Sequence, residues 1–335
     1  ATPGPKHFAS VNRRQDSLYV IFLSMTLFYQ ENQDTSTGID LFPLKCYPTT
    51  DHRVLYIGIK QIRGCRMRVL IRGAGDIATG IALRLYRSHM QVVMTDLPAP
   101  TAIRRTVCFS QAIVLGRTEV EGVAAVLAAD AAEAESLLAQ EVVPVLADPD
   151  CRCRQALRPD AEVDAILAKR NLGTAITDAP VVIGIGPGFT AGADCHAVVE
   201  TMRGHTLGRV IYEGSALPNT NIPGLIGGYA GERVLRAPAD GIFRQLLDIG
   251  AEVKAGDVAG EVNGLPMRCT IDGVVRGILP EGTPVHQGMK SGDVDPRCRP
   301  EYCTTASDKA LAVGGGVLEA ILHLSGALHA ETTRL

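Results

Sequence analysis

Residues 67–96 read MRVLIRGAGDIATGIALRLYRSHMQVVMTD, and this stretch decides the fold class that the sequence predicts. Its first apolar letters, RVLI, are typical of a short buried strand. Gly73, Gly75 and Ala78 then form the pattern G-x-G-x-x-A, and the amphipathic run Ile77–Tyr86 predicts a helix. A strand, a glycine-rich turn and a helix in this order indicate a Rossmann-like nucleotide-binding unit.

The predicted turn is suited to bind a phosphate group. Gly73 permits the tight turn, Gly75 lets a phosphate approach the backbone, and Ala78 lets the helix pack closely. Amide groups at the start of the helix, including those of Asp76 and Ile77, would hold the anion together with the helix dipole. Asp76 is expected to cap the helix, because a carboxylate that pointed inward would repel phosphate. The alternatives are a mononucleotide site and a loop that only turns the chain.

Charged residues follow the second predicted strand, Gln91–Thr95. Asp96 lies 21 residues after Gly75 (96 − 75), where a carboxylate could accept both hydroxyls of an adenosine ribose and favour NAD over NADP. Arg104 and Arg105 come next, and one of them could pair with an anionic ligand. A solvent-facing surface is the alternative interpretation of these arginines.

Strand-like and helix-like segments alternate through the middle of the chain, which predicts a parallel sheet with helices on both faces. The predicted strands are Glu119–Leu127, Val142–Leu146, Val163–Ala168 and Val181–Gly186, and the predicted helix is Asp130–Gln140. Ligands in such sheets bind at the carboxyl ends of strands, so Lys169 and Arg170 are candidate ligand-binding residues. The loop after the next strand, with Gly186 and Gly188, could bind a second anion through backbone amides.

A candidate acid/base group lies in the segment that follows. Asp194, His196 and Glu200 share one face if this segment is a strand, as its β-branched residues indicate. His196 is the leading proton-handling residue, and Asp194 and Lys169 complete the candidate catalytic set. A structural, hydrogen-bonded histidine is the alternative. No metal site is predicted, because the C-x-C pair in mid-chain lacks a second pair nearby.

A repeat with a period of 32 residues lies near the C-terminus. Residues 240–256 and 272–288 share an Asp-Gly pair, an Arg, a Leu, two further Gly and a Val at seven matching positions. Neither copy could bury its apolar face alone, so the two are predicted to pack as a small β-barrel or sandwich. The pattern resembles the half-motifs of lipoyl and biotinyl carrier domains. The linking segment 261–268 has no lysine, so covalent attachment is not expected.

Polar residues and a last helix follow the repeat. Lys290, Asp293 and Asp295 are further candidate residues of a polar site. A helix is predicted over Ser307–Leu322, with Ser307 as its N-cap. The run Gly314–Gly316 weakens such a helix, which predicts that the sheet or a ligand approaches its backbone closely.

Long strings of this chain resemble the YqeB family, whose members are described as maturation proteins of selenium-dependent molybdenum hydroxylases. Besides residues 67–96, the strings are PTAIRRTV (100–107), DAILAKRNLGT (164–174), APVVIGIGPGFTAGADCHAVVETMRGH (179–205), ERVLRAPADGIF (232–243), SGDVDPR (291–297) and SDKALAVGGGVLEAIL (307–322). The resemblance covers nearly all of residues 67–325. The Rossmann-like part is also similar to that of xanthine dehydrogenase accessory proteins.

The resemblance implies an accessory protein that matures a selenium-dependent molybdenum hydroxylase. Its glycine-rich loop would bind a nucleotide or the molybdenum cofactor, so that NAD and a molybdopterin-type cofactor are the candidate ligands. The implied partners are the hydroxylase or its cofactor and a small anionic ligand. The alternatives are an NAD-dependent oxidoreductase, a non-enzymatic scaffold, and a selenium carrier that uses Cys195 or Cys303. Whether the protein is an enzyme stays open.

Composition sets the remaining expectations. The net charge of −3 argues against a nucleic-acid binder or a protein held on an anionic membrane. Nine cysteines in a chain of this length indicate reduced thiols and a cytoplasmic protein. The predicted plan is a dissimilar, partly disordered leader (1–66), a Rossmann-like domain (67–150), a second α/β segment (151–232), the β repeat (233–296) and a docking helix (297–335).

Overall fold

The computed structural model describes residues 66–220 and 222–326, which belong to one compact unit. The prediction of a disordered leader therefore falls outside the described residues, apart from Arg66. Within the described ranges, no helix has both the length and the apolar character that a membrane span requires.

The largest element is a nine-stranded sheet in the order β3-β4-β5-β2-β1-β6-β7-β8-β9. Its strands are β1 (Arg68–Arg72), β2 (Gln91–Thr95), β3 (Arg117–Val120), β4 (Val123–Leu127), β5 (Val143–Leu146), β6 (Ala161–Asp164), β7 (Val181–Ile185), β8 (Ala197–Val199) and β9 (Val210–Ile211). The strands from β4 to β8 in this order are parallel, whereas the edge strands β3 and β9 run antiparallel to their neighbours. The sheet is therefore mixed.

The antiparallel edge at β3 arises from a tight turn that the sequence prediction missed. Residues 119–127 were expected to form one strand, but Glu121 and Gly122 both have positive φ values, 49° and 80°. Two successive residues in this conformation fit a two-residue hairpin turn. The chain therefore folds back on itself, and Val120 pairs with Val123.

Helices cover both faces of the sheet. They are α1 (Asp76–Arg87), α2 (Gln111–Leu115), α3 (Ala131–Ala139), α4 (Arg154–Leu157) and α5 (Asp308–Ser325), with short 3-10 helices at Arg105–Val107 and Pro300–Cys303. Alternate residues of β1 divide between the two faces: Val69 and Ile71 pack with α1 and α5, and Leu70 packs with α3 and α4. This division follows from the two-residue side-chain period of a strand.

The helices α1 and α5 pack closely against each other. A Cβ atom added to Gly80 would lie 2.5 Å from the Cβ of Ala310, and one added to Gly314 would lie 2.8 Å from the carbonyl oxygen of Gly80. Gly316 lies equally close to the backbone of Gly208. Contact with protein backbone therefore accounts for two of the three glycines in this helix, while Gly315 is exposed. Ser307 caps α5 as predicted, accepting a hydrogen bond from the amide of Ala310.

Two further sheets, each of four antiparallel strands, have the orders β10-β17-β15-β12 and β14-β13-β11-β16. Their strands are β10 (Val234–Arg236), β11 (Gly241–Gln245), β12 (Glu252–Val253), β13 (Val258–Val262), β14 (Leu265–Arg268), β15 (Gly273–Ile278), β16 (Pro284–Val285) and β17 (Lys290–Asp295). The strand pairs β11/β16 and β12/β15 each join one repeat copy to the other. These sheets also contact the loop after β2, where the amide of Ile278 donates to the carbonyl of Ile103.

These observations correct the predicted fold class. A Rossmann-like parallel sheet with a separate carrier-like barrel is wrong: the chain has a large mixed sheet with helices and two additional antiparallel sheets. The prediction failed at the sheet edges, where short hairpins reverse the chain. It also failed in the repeat region, where strands outside the repeat copies, β10, β13, β14 and β17, complete both sheets.

Candidate functional site

The turn between β1 and α1 is tight on one side and open on the other. Gly73 has a φ of 102°, and a Cβ atom there would lie 2.9 Å from the carbonyl oxygen of Ala165, so that only glycine fits. A Cβ atom on Gly75 would meet no atom within 4 Å. Space is therefore available over Gly75, where the sequence places the phosphate.

The start of α1 offers unpaired amide groups to this space. The first hydrogen bond of the helix runs from the amide of Thr79 to the carbonyl of Gly75. The amides of Asp76, Ile77 and Ala78 therefore have no acceptor within the helix, and the described parts of the chain supply none from elsewhere. Three open amides and the positive end of the helix dipole favour an anion at this position.

Three lysines from different elements are coupled electrostatically near this helix end. Lys169 lies in the loop after β6, Lys290 begins β17, and Lys309 lies in the first turn of α5. Electrostatic interactions couple Lys309 to Lys169, to Lys290 and to Asp76. Lys290 is also coupled to Asp76. We call Lys169, Lys290 and Lys309 the lysine cluster.

The lysine cluster is desolvated but has no partner of its own. Within residues 66–220 and 222–326, no hydrogen bond or ion pair involves any of the three ammonium groups. Lys169 and Lys290 are exposed by surface area, yet the surrounding protein removes enough water to lower the pKa of all three lysines. Desolvation disfavours the charged ammonium form, so an anion bound beside these lysines would stabilise their charge.

Two of the lysines occupy positions that cost free energy. Lys309 lies at the N-terminal end of a helix, where the helix dipole disfavours a cation. Lys169 has a φ of 63°, a left-handed backbone conformation that residues other than glycine rarely adopt. Strain and like-charge placement of this kind concentrate at functional sites.

Asp76 is the carboxylate that faces the lysine cluster. It does not cap α1, as the sequence had suggested, because the N-cap is Gly75 without a side-chain hydrogen bond. Its Oδ2 atom instead lies 3.2 Å from Nη1 of Arg104. Arg104 is nine-tenths buried and donates to the carbonyls of Tyr302 and Thr305, while its buried Nε has no partner in the described chain. Asp76 thus makes a single contact with an arginine that the protein itself fixes.

Asp96 lies at the same turn, where each oxygen of its carboxylate already accepts a hydrogen bond from the backbone. Its carboxylate accepts hydrogen bonds from the amides of Ala74, at 2.8 Å, and Leu97, at 2.7 Å. Burial raises its pKa despite these two hydrogen bonds. The carboxylate therefore stabilises the turn itself. Together with the mixed sheet, this arrangement overturns the prediction of an NAD(P)-binding Rossmann fold.

The remaining predicted binding residues lie in two loops that pack against each other. A Cβ atom on Gly188 would lie 2.6 Å from the amide nitrogen of Arg170, so these two loops pack backbone to backbone. Gly186 has a φ of 76° and packs against the side chain of Thr201. The loop with Lys169 and Arg170 is therefore fixed between the Gly73 turn on one side and the Gly188 turn on the other.

His196 and Asp194 have separate structural partners. The Nδ1 atom of His196 accepts a hydrogen bond from the amide of Val182 at 3.0 Å. Asp194 accepts one from the amide of Thr190 at 2.8 Å. Both residues lie before β8 rather than within it, so the strand geometry that would place them on one face is absent. Their catalytic role stays a prediction, and the contacts favour the structural alternative.

The cysteines offer little reactive thiolate. Of the seven in the described residues, six are buried, and Cys298 is exposed. Burial raises the pKa of Cys195 to about 11 and also raises the pKa of Cys303. Since the thiolate is the reactive form, these environments argue against a selenium carrier at either position.

The sequence identified part of this site and missed part. Lys169, Arg104 and the turn from Gly73 to Ala78 were predicted, and Lys290 was a candidate polar residue. Lys309 was not predicted, although a lysine two residues after a helix N-cap is an unfavourable placement that could have drawn attention to it. Asp293 and Asp295 instead belong to a buried ion-pair network with Arg276.

These observations describe an α/β protein in which open backbone amides, Arg104 and the lysine cluster come together near the start of α1. The chain is 52% identical over 256 residues to YqeB of Escherichia coli (strain K12), which covers 76% of this chain. This similarity supports the YqeB family label that the sequence strings suggested. The chain spans about half, 47%, of the length of that curated relative. No family model matches the sequence.

Solved structures give no stronger guide. An aspartoacylase family protein from Mesorhizobium loti aligns with 71% of this chain and 88% of its own, at 13% identity and a TM-score of 0.23. A succinylglutamate desuccinylase/aspartoacylase from Rhodobacter sphaeroides aligns with 69% of this chain and 85% of its own, at 17% identity and a TM-score of 0.23. Scores this low support no argument about this chain.

Proposed function

We propose that the chain binds a phosphate-bearing small molecule at the start of α1. The observation that carries this proposal is the lysine cluster, whose three ammonium groups make no ion pair in the described chain and are coupled to one another near a helix end with open amides. Like charges held together are unfavourable, and the nearby Asp76 and Asp293 are already paired with arginines, so an anionic ligand would relieve the repulsion. A nucleotide and the molybdenum cofactor, which both carry phosphate, are the two ligands under this proposal.

We further propose that this binding serves the maturation of a selenium-dependent molybdenum hydroxylase. The support is the resemblance to the YqeB family, together with the open amides of α1 and the lysine cluster, which suit a phosphorylated ligand. The chain corresponds to about half of its curated relative, so the partners of the whole protein cannot be transferred to it directly. That the hydroxylase receives the ligand is therefore part of this proposal. The raised thiol pKa values favour a role in which this chain holds the ligand rather than carrying selenium on a cysteine.

The first experiment asks which ligand the protein carries. The full chain is purified under native conditions, and the small molecules released on denaturation are identified by mass spectrometry. A phosphorylated pterin or a nucleotide in stoichiometric amount supports the proposal. Co-purification of a hydroxylase without any such molecule would favour the scaffold alternative.

A matched pair of variants locates the binding site. Lys309→Gln removes one member of the lysine cluster, whereas Lys254→Gln removes an exposed lysine that pairs with Asp272. A hydrogen bond to a charged group contributes about 1.5 to 3 kcal/mol, so we expect Lys309→Gln to weaken pyrophosphate binding about 10- to 100-fold in calorimetry. Lys254→Gln should leave the affinity unchanged. Equal affinities for both variants would place the ligand elsewhere.

A further inference from the structure

The carboxylate of Asp76 lies where a negatively charged ligand would bind, and this placement needs an explanation. Its side chain is 31% exposed, and its only partner in the described chain is Nη1 of Arg104, through one contact of 3.2 Å. It neither caps its helix nor binds a backbone amide. A carboxylate with so few contacts can leave its position at low cost.

The charges near the start of α1 suggest what Asp76 does at the proposed anion site. The lysine cluster carries three positive charges, and Asp76 is the carboxylate coupled to both Lys290 and Lys309. Arg104 is coupled to it as well, and the burial of this arginine with an unpartnered Nε leaves a donor unused in the described residues. Asp293 also acts on Lys290, but it is already paired with Arg233 and Arg276. Without ligand, Asp76 therefore supplies part of the negative charge that partly neutralises the lysine cluster.

We infer that Asp76 is an internal counter-ion that competes with the ligand, so that the site selects anions carrying at least two negative charges. This inference rests on the proposed anion site. Displacing the carboxylate costs the same free energy for every ligand, whereas attraction to three lysines and three amides grows with the charge of the ligand. A monoanion gains too little to displace Asp76. A phosphomonoester or a pyrophosphate group gains enough.

The ligand class is accordingly a terminal phosphate or a pyrophosphate linkage, and a phosphodiester is excluded. The class also excludes simple carboxylates, which carry a single charge. Nη1 of Arg104 would donate to the ligand in place of Asp76, while Nη2 stays bound to the carbonyls of Tyr302 and Thr305. The backbone of Arg104 would not need to move.

The test compares three probes of different charge by titration calorimetry at pH 8 in buffer with EDTA. The probes are pyrophosphate, inorganic phosphate and dimethyl phosphate, the last a monoanion. For the unaltered protein we expect affinity to fall in that order, with dimethyl phosphate at least tenfold weaker than inorganic phosphate. Equal affinity for dimethyl phosphate and inorganic phosphate would overturn the charge selection.

The variant Asp76→Asn tests the counter-ion directly, because it keeps the shape and removes the charge. We expect all three probes to bind about tenfold more tightly, so that dimethyl phosphate becomes measurable. Glu261→Gln removes a carboxylate that pairs with the exposed Arg244 and should change nothing. Weaker or unchanged binding by Asp76→Asn, with its fold verified by circular dichroism, would refute the inference.

The outcomes also separate this inference from the proposed function. If the unaltered protein binds none of the probes, or if Lys309→Gln binds them as well as the unaltered protein does, the anion site itself is wrong. If binding depends on Lys309 but Asp76→Asn does not strengthen it, the anion site stands and only the role of Asp76 fails.

Discussion

The two repeat copies, 240–256 and 272–288, have the same pattern but different surroundings. Each copy supplies a longer strand, β11 or β15, and a short strand that pairs with the longer strand of the other copy. Their turns match as well: Oδ1 of Asp240 accepts from the amide of Gln287, and Oδ1 of Asp272 accepts from the amide of Ala255. The acceptors and the donors are both 32 residues apart, so the copies are related by an approximate twofold axis.

The two arginines of the pattern show where the symmetry ends. Arg244 is exposed and pairs with Glu261, whose side chain is partly open to solvent. Arg276 is 8% exposed and binds both Asp293 and Asp295, which are buried on β17. The second copy faces the loop after β2, where Gly277 contacts Ile103 and Arg104. The repeat thus specifies strand pairing, and residues outside it decide which copy is buried against the loop that carries Arg104.

The largest effect should distinguish the two arginines. Arg276→Met removes the partner that the buried Asp293 and Asp295 share, although Asp293 keeps Arg233 and Asp295 keeps Arg297. The expected loss is therefore about 3 kcal/mol, the lower end of the range for breaking a buried ion pair from one side. Arg244→Met removes an exposed pair, which contributes about 1 kcal/mol or less. Urea unfolding of both variants measures the difference. Similar losses would mean that the copies are equivalent in energy despite their different burial.

A smaller effect should follow from a single methyl group in the second copy. Gly277→Ala places a Cβ atom 2.8 Å from Cγ2 of Ile103, and overpacking of this kind costs about 1 to 3 kcal/mol. The corresponding position of the first copy already carries a side chain, Gln245. Because Arg104 adjoins Ile103, we also expect weaker pyrophosphate binding.

Gly231→Ala is the control for this substitution, since an added methyl group there meets open space. Thermal unfolding and calorimetry of the two variants give stability and affinity together. A Gly277→Ala protein as stable as the Gly231→Ala protein would show that the contact between the second copy and the loop after β2 is loose.

The smallest effect tests the symmetry itself. Asp240→Ala and Asp272→Ala each remove one carboxylate that accepts an amide of the other copy. The lost amide contacts are equivalent and solvent-exposed, and Asp272 also loses an exposed ion pair with Lys254, which contributes about 1 kcal/mol or less. We therefore expect Asp240→Ala to lower Tm by about 2 to 4 °C and Asp272→Ala to lower it by the same amount or slightly more. Differential scanning calorimetry measures both. A clearly larger shift for one variant would show that the twofold relation is geometric only.

Local structure was largely predictable from the sequence, whereas the arrangement of the elements was not. The strand Gln91–Thr95 and the helix over residues 77–86 follow from hydrophobic period, and Ser307 follows from capping chemistry. The hairpin at Glu121 depends on a left-handed glutamate, which no turn pattern indicates. The completion of both small sheets by strands outside the repeat depends on long-range pairing, which local patterns do not encode.

The candidate site divides in the same way. The turn from Gly73 to Ala78 could be identified because its function is local, carried by backbone amides that follow each other in sequence. The lysine cluster joins residues 169, 290 and 309, which approach each other only in the folded protein. Asp96 was assigned to a ribose because its spacing fits, but the amide of Ala74 lies close enough to bind its carboxylate first.

The contact between α1 and α5 has a consequence for the order in which the proposed anion site would form. The two helices are separated by 220 intervening residues (308 − 87 − 1), yet glycines at their contact let α5 pack against α1 and bring Lys309 near Asp76. Under the proposed function, the first turn would emerge early in synthesis and would stay incomplete until the last described helix had left the ribosome and docked. Ligand capture would then report that the whole unit has folded, and a nascent chain would not sequester its ligand prematurely.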